Sequence, residues 1–286
     1  MPASVEAKEK VRRYYRAATS DYLRYYETEW HQHMHYGFER GLPKGGNPTE
    51  HLIRYAASAA GDLRGQRVLD AGCGVGGTAF WLAENAEAAC VGLNLMEFQL
   101  RLAQGYAKKK KNLSHRVVFT AGDFMHPPFA PSSFDAIFAV ESFDHAPDKS
   151  AWISGMATLL RPGGRLVLVD GFRKEGGFSP QEDKAYKAFL RGWAVPHLCS
   201  QSELRRWAKA AGLEESHGED ITADVMPHAS AISRFALIFV PLRLLLLALR
   251  LTSLEKLDNA AATWRQYRTL KQGLWNYSLF CFQKSG

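Results

Sequence analysis

Apolar and aromatic residues recur at helical spacing near the start of the chain, at Val5, Val11, Tyr14, Tyr15, Ala18, Tyr22 and Tyr25. This predicts a helix within residues 4–29, and residues 50–63 read as a second one before Gly65. The period then changes. Short β-prone runs end at Val68-Leu69, Val91-Gly92-Leu93, Val117-Val118-Phe119, 136–140 and 166–169, separated by helix-compatible stretches. Strands alternating with helices predict a parallel sheet covered on both faces. The helix after the fourth strand places Trp152, Ile153, Met156, Leu159 and Leu160 on one buried face, and Arg161-Pro162-Gly163-Gly164 stops it. Ser200 and Glu203 have capping-box spacing at the start of another helix, which buries Leu204, Trp207, Ala208 and Ala211. A sixth strand is expected over 213–221 and an aromatic last strand over 275–283, inserted into the sheet.

The expected fold is therefore α/β: a Rossmann-like, doubly wound, mostly parallel seven-stranded sheet with an antiparallel last strand, N-terminal helices and a helical lid. The boundaries read as a helical cap over 1–63, a Rossmann-like core over 64–172, the rest of the core with apolar lid insertions over 173–274, and the final strand over 275–286. A chain of 286 residues, 46% of them hydrophobic, is long enough to bury such a core.

Composition adds less. Thirty-six Lys and Arg stand against 29 Asp and Glu, a net charge of +7. The densest patch, 108–111, has no interleaved aromatic residues, so it reads as a solvated helix end and no nucleic-acid partner is expected. Four cysteines at 73, 90, 199 and 281 form no CxxC pair, and no metal site is expected. The N-terminus carries no apolar stretch of the secretory kind, so a cytoplasmic location is expected. The apolar run 235–251 is shorter than the ~20 residues of a typical span and carries Pro241, Arg243 and Arg250. It reads either as a helix lying on an anionic membrane surface, as a substrate lid, or as a homodimer face.

Candidate chemistry begins at Val68 to Gly77, VLDAGCGVGG, where glycines follow a strand and open a helix. Such a loop lets a ligand approach the backbone closely. Its spacing satisfies both G-x-G-x-G and the dinucleotide pattern G-x-G-x-x-G, so neighbours must decide. Asp70 precedes the glycines, Asn94 stands where a dinucleotide site expects an acid, and Gly122-Asp123-Phe124 follows the third strand. Together these resemble class I S-adenosylmethionine-dependent methyltransferases. The block Phe134 to Lys149, FDAIFAVESFDHAPDK, resembles the corresponding block of tocopherol and sterol C-methyltransferases and related natural-product methyltransferases. So do His33-Met34-His35-Tyr36-Gly37-Phe38 and the segment 92–99.

That resemblance implies S-adenosylmethionine as cofactor. The cofactor-binding residues would be Asp70, Gly72 and Gly74 at the methionine part, Asn94 and Leu95 at the ribose, Asp123 and Phe124 at the adenine, Gln99 at the adenosine, and Tyr36 closing over the amino-acid end. His145 and Glu141 would be catalytic, His145 as a base and Glu141 as a partner for developing positive charge. Trp193 and His197 would touch the substrate. The implied acceptor is a lipophilic terpenoid, sterol or quinone-like molecule, with carbon favoured over oxygen or nitrogen as the methylated atom. O- or N-methylation of a polyketide, alkaloid or sugar-bearing metabolite, an NAD-dependent oxidoreductase and a non-enzymatic binding protein are the alternatives.

Overall fold

The computed structural model describes residues 9, 11–16, 19, 33–110, 113, 115–248 and 254–286, with side chains left undescribed at 236, 238–248 and 254–260. Most of the predicted first helix, within 4–29, lies outside the described residues, although 11–16 are helical.

Seven strands form one sheet: β1 (Arg67–Ala71), β2 (Ala89–Asn94), β3 (Val117–Ala121), β4 (Phe134–Val140), β5 (Leu160–Arg173), β6 (Leu213–Asp220) and β7 (Trp275–Lys284). Their spatial order is β3-β2-β1-β4-β5-β7-β6. Pairing is parallel from β3 to β5, while β7 runs antiparallel to both β5 and β6. The last strand is thus inserted between its predecessors, as its apolar pattern predicts. The register aligns Asp70 with Gly92 and Phe138, and Val140 with Val169. The residues that follow these positions emerge together at one edge of the sheet.

Helices α1 (Pro48–Ala60), α2 (Gly77–Asn85), α3 (Glu97–Lys109), α4 (Lys149–Leu159), α5 (Pro180–Gly192) and α6 (Gln201–Ala210) cover the two faces, and α7 (Thr222–Ala248) and α8 (Leu254–Lys271) fill the insertion before β7. One buried cluster joins Leu52, Ile53, Phe80, Leu82 and Phe138, and the other joins Leu69, Ile137, Trp152, Ile153 and Met156. Two apolar layers on one sheet are the doubly wound arrangement.

Local chemistry sets the helix ends. Asn47 caps α1, its side-chain oxygen accepting the amides of Thr49 and Glu50, and Pro48 supplies the first turn. Ser200 and Glu203 close the expected capping box on α6, and Ser179 and Glu182 close another on α5. Leu160 differs from expectation. It begins β5 and pairs with Phe134, because the helix ends at Leu159 and the chain turns extended at once.

The apolar run 235–251 is helical to Ala248, with Phe235 and Leu237 exposed; its other side chains lie mostly outside the described residues. Among the described residues no helix is long and apolar enough to cross a membrane.

Candidate functional site

The glycine loop between β1 and α2 is held by short backbone bonds. The amides of Gly72 and Cys73 both donate to the Leu93 carbonyl, at 2.8 and 3.0 Å. Gly72 has φ +96°, and a Cβ there would lie 2.5 Å from Ser142 Cβ. Glycine is needed because the β4 end packs directly on the loop, with Ser142 donating to the Ala71 carbonyl at 2.6 Å. A Cβ at Gly74 would meet only Met34 Sδ at 3.7 Å, so that face of the loop is open to a ligand.

Asp70 is buried and accepts the Ala79 amide at 3.1 Å, which caps α2 from inside. Burial raises its pKa from 3.8 to about 7, the Ala79 hydrogen bond only partly opposing that. Asn94, at the end of β2, donates from Nδ2 to the Gly74 carbonyl (3.0 Å) and to Gln99 Oε1 (2.8 Å). Gln99 Nε2 donates onward to Thr19 Oγ1 at 3.0 Å. Neither Asn94 donor could be supplied by a carboxylate, which explains an amide at this position.

A cavity of about 380 Å³ opens on this loop. Asp70, Gly72, Gly74, Asn94, Leu95, Gln99, Asp123, Phe124, Glu141 and His145 all line it, together with Val11, Tyr15, His33, Met34 and His35 from the N-terminal segment. Asp123 accepts the Met125 amide at 2.9 Å, and Phe124 packs edge-on to Trp152. Concave, mostly apolar cavities of this size with a few placed polar groups suit a small ligand.

A smaller chamber of about 50 Å³ shares Tyr15, Met34, Glu141 and His145 with the first. It continues to Asp144, Asp170, Phe189, Trp193, Trp275 and Tyr277. Glu141 follows β4 in a left-handed conformation, φ +47°, which is a strained geometry for a non-glycine residue. Its Oε1 accepts the Tyr36 amide and the Tyr277 hydroxyl, each at 2.7 Å. Burial lifts its pKa from 4.5 to about 7 against the pull of those two bonds. Asp170 is also pushed well above the carboxylate range, by burial first and then by the charge of Asp144.

His145 sits in a single 3₁₀ turn, Phe143–His145. Its Nε2 lies 2.9 Å from the Tyr15 hydroxyl and 3.7 Å from Asp144 Oδ1. Two side chains fix the turn. Asp170 accepts the Asp144 amide at 3.1 Å, and the buried Lys149 ammonium donates to the carbonyls of Asp144 and Ala146, both at 3.0 Å. The block ending His145-Ala-Pro-Asp-Lys149 is therefore a clamp: Asp148 caps α4 through the Ala151 amide, and Lys149 ties the turn. Replacing Lys149 by Met is expected to lower stability by about 2 kcal/mol, since two buried carbonyls lose their donor. The shift in urea midpoint would show it, and an unchanged midpoint would contradict the clamp.

Three expected site residues lie elsewhere than along the glycine loop. Tyr36 lines the inner chamber, its ring edge-on to Tyr277 at 5.5 Å. Trp193 lines that chamber too, at the C-terminal end of α5. His197 is exposed and lines neither chamber, whereas its neighbour Leu198 is buried and lines the inner one. Conversely Tyr15, Met34, Ser142, Asp170 and Tyr277 reach the site without having been selected from the sequence. Ser142 and Asp170 carried a legible signal, since Ser142 follows β4 and Asp170 lies just past the part of β5 that pairs in parallel with β4.

A family model described as a methyltransferase domain matches residues 62–212. A sterol 24-C-methyltransferase of Aspergillus fumigatus is 33% identical over 217 residues, covering 74% of this chain and 55% of its own. A tocopherol O-methyltransferase of Arabidopsis thaliana is 26% identical over 230 residues, covering 74% and 66%. The chain thus spans between about half and two thirds of the length of these curated relatives. Among solved structures, the geranyl diphosphate C-methyltransferase of Streptomyces coelicolor superposes with a TM-score of 0.75 at 20% identity, covering 99% of each chain.

Proposed function

The chain belongs to the methyltransferase-domain family, and from that premise we propose that it methylates a lipophilic small molecule, with S-adenosylmethionine as the methyl donor. The observation that carries this reading is that the two chambers adjoin, sharing Tyr15, Met34, Glu141 and His145. The outer chamber suits the donor, and the inner one, at about 50 Å³, suits the polar end of the acceptor.

The residues fit the donor's chemistry. The open face at Gly74 receives the methionine part, with Asp70 behind it. Asn94 Oδ1, which has only a 3.3 Å bond from the Met96 amide, is the group for a ribose hydroxyl, beside Leu95. Asp123 accepts from the adenine amino group and Phe124 offers a ring edge or face. Gln99 acts by holding Asn94 in place rather than by reaching the adenosine. The bound donor supplies a methyl group already activated on a sulfonium, so the protein's work is alignment and exclusion of water.

Since Asn94 gives two hydrogen bonds that an acid cannot, Asn94→Asp is expected to weaken donor affinity about tenfold, although it installs the acid that dinucleotide sites use. Gln99 can turn its amide over, but the Gly74 carbonyl cannot withdraw. Calorimetric titration with S-adenosylmethionine checks this, and unchanged or tighter binding would contradict it.

At the acceptor, carbon is the atom favoured by the resemblance. Methyl addition to an alkene leaves a carbocation, and the Glu141 carboxylate with the rings of Tyr36 and Trp193 answers that charge. A second reading, oxygen, rests on His145. Its Nδ1 is buried without a hydrogen-bond partner, and in the tautomer that protonates Nε2 that atom is the one to take a hydroxyl proton. Incubation with donor labelled in the methyl group and a panel of terpenoid alcohols, sterols and quinols, followed by NMR of the product, tests the reading and assigns the acceptor atom. Label in no lipophilic product would contradict it.

A further inference from the structure

The wall of the inner chamber has an unusual balance of charge. Three carboxyl groups, Glu141, Asp144 and Asp170, line it, and among the described residues no Lys or Arg lines either chamber. The nearest buried cation, Lys149, is committed to the carbonyls of Asp144 and Ala146. Two polar atoms at this wall are buried without a hydrogen-bond partner: Asp144 Oδ1 and His145 Nδ1. The first is an acceptor, and the second accepts or donates according to the tautomer of His145. Buried polar atoms left without partners cost free energy, so the pair marks a place for a group that both donates and accepts, as a hydroxyl does.

We propose that the inner chamber recognises its acceptor through a neutral hydroxyl group and turns phosphate esters away. This rests on the methyltransferase reading above and deepens it. A hydroxyl donates to Asp144 Oδ1 or His145 Nδ1 and satisfies what the protein leaves open. A phosphate or diphosphate brings only negative charge and acceptor oxygens to a wall of carboxyl groups, with no arginine or lysine to receive them. A magnesium ion bridging a diphosphate to these carboxyl groups is the one arrangement that would reverse the order, and the titration below includes it. On this proposal the likeness in fold to a geranyl diphosphate methyltransferase does not extend to the acceptor's head group.

Geraniol and geranyl diphosphate share one hydrocarbon chain and differ in that head group, which makes them the probes. Calorimetric titration of each into the full chain saturated with S-adenosylhomocysteine, with and without magnesium, is expected to show geraniol binding at least thirtyfold more tightly. Asp144→Asn, which removes the charge and keeps an acceptor oxygen, is expected to narrow that ratio about tenfold. Asp144→Ser, which also removes the charge, serves as the second variant if Asp144→Asn does not fold. Equal or tighter binding of the diphosphate, with or without magnesium, would overturn the proposal, as would binding of neither probe or a ratio unmoved by the charge-removing variant. Binding of S-adenosylhomocysteine itself is read in the same instrument. A protein that binds it and prefers the diphosphate keeps the proposed function and loses this inference.

Discussion

Gly72→Ala is expected to cost about 2–6 kcal/mol of stability and to abolish donor binding in the micromolar range. Two effects add. At φ +96° an alanine is strained by about 1–3 kcal/mol. Its methyl group would also arrive 2.5 Å from Ser142 Cβ and 2.9 Å from Ser142 Oγ. Ser142 cannot move aside freely, because its hydroxyl is bonded to the Ala71 carbonyl. Overpacking of this kind costs about 1–3 kcal/mol more. Gly74→Ala is the informative contrast. Its Cβ meets only Met34 Sδ at 3.7 Å, and its φ of +53° is milder. A loss of about 1 kcal/mol is expected there, with donor affinity reduced because the new methyl group occupies the open face of the loop. Urea unfolding and calorimetry on both variants separate the two roles. Equal stability losses would show that the Ser142 contact does not govern Gly72.

Glu141→Ala is expected to be the most damaging change in the inner chamber. It leaves the Tyr36 amide and the Tyr277 hydroxyl without their acceptor, at about 1–3 kcal/mol for each buried group. Glu141→Gln keeps an acceptor oxygen and isolates the charge. Folding raises the Glu141 pKa from 4.5 to about 7 through burial. Between those values the unfolded chain has released the proton and the folded chain still holds it. The unfolded state therefore binds fewer protons, and stability falls as pH rises, by about 3 kcal/mol from this residue, levelling off above pH 7. Asp70, raised from 3.8 to about 7, contributes a slope of the same sign. Asp170, also raised by burial, adds to that slope, and Glu141→Gln is expected to remove about 2–3 kcal/mol of the decline in urea-derived stability between pH 5 and 7. A slope identical to that of the unmodified protein would place the titration elsewhere.

The parts of the fold that read most directly from the sequence are those with short, local causes. Alternating apolar runs and helical faces located six of the seven strands to within a few residues, and the Ser200/Glu203 capping box appears as expected. The start of β5 did not, because Arg161-Pro162-Gly163-Gly164 reads as a stop and gives no sign that the chain continues extended through it. In the site, residues attached to the strand ends were legible, since topology alone brings Asp70, Asn94, Asp123 and Glu141 to one edge. Residues arriving from distant segments were not. Tyr15 looks like any aromatic on a helix face, and only tertiary packing across a sequence separation of 130 brings it to His145. Tyr277 is one of several aromatics in an apolar strand, and its hydroxyl matters because Glu141 lies beside it. His197 shows the converse, a polar residue selected from the sequence whose side chain is exposed and lines neither chamber.

The glycine spacing on its own admits both a methyl donor and a dinucleotide, and the match to a methyltransferase domain over residues 62–212 separates them. Asn94 stands at the end of β2, where a dinucleotide site carries a carboxylate for the ribose. Competitive calorimetry of the full chain against S-adenosylmethionine and NAD tests this most directly. The expected result is stoichiometric binding of S-adenosylmethionine that millimolar NAD does not displace. Saturable binding of NAD, or no binding of S-adenosylmethionine, would contradict it.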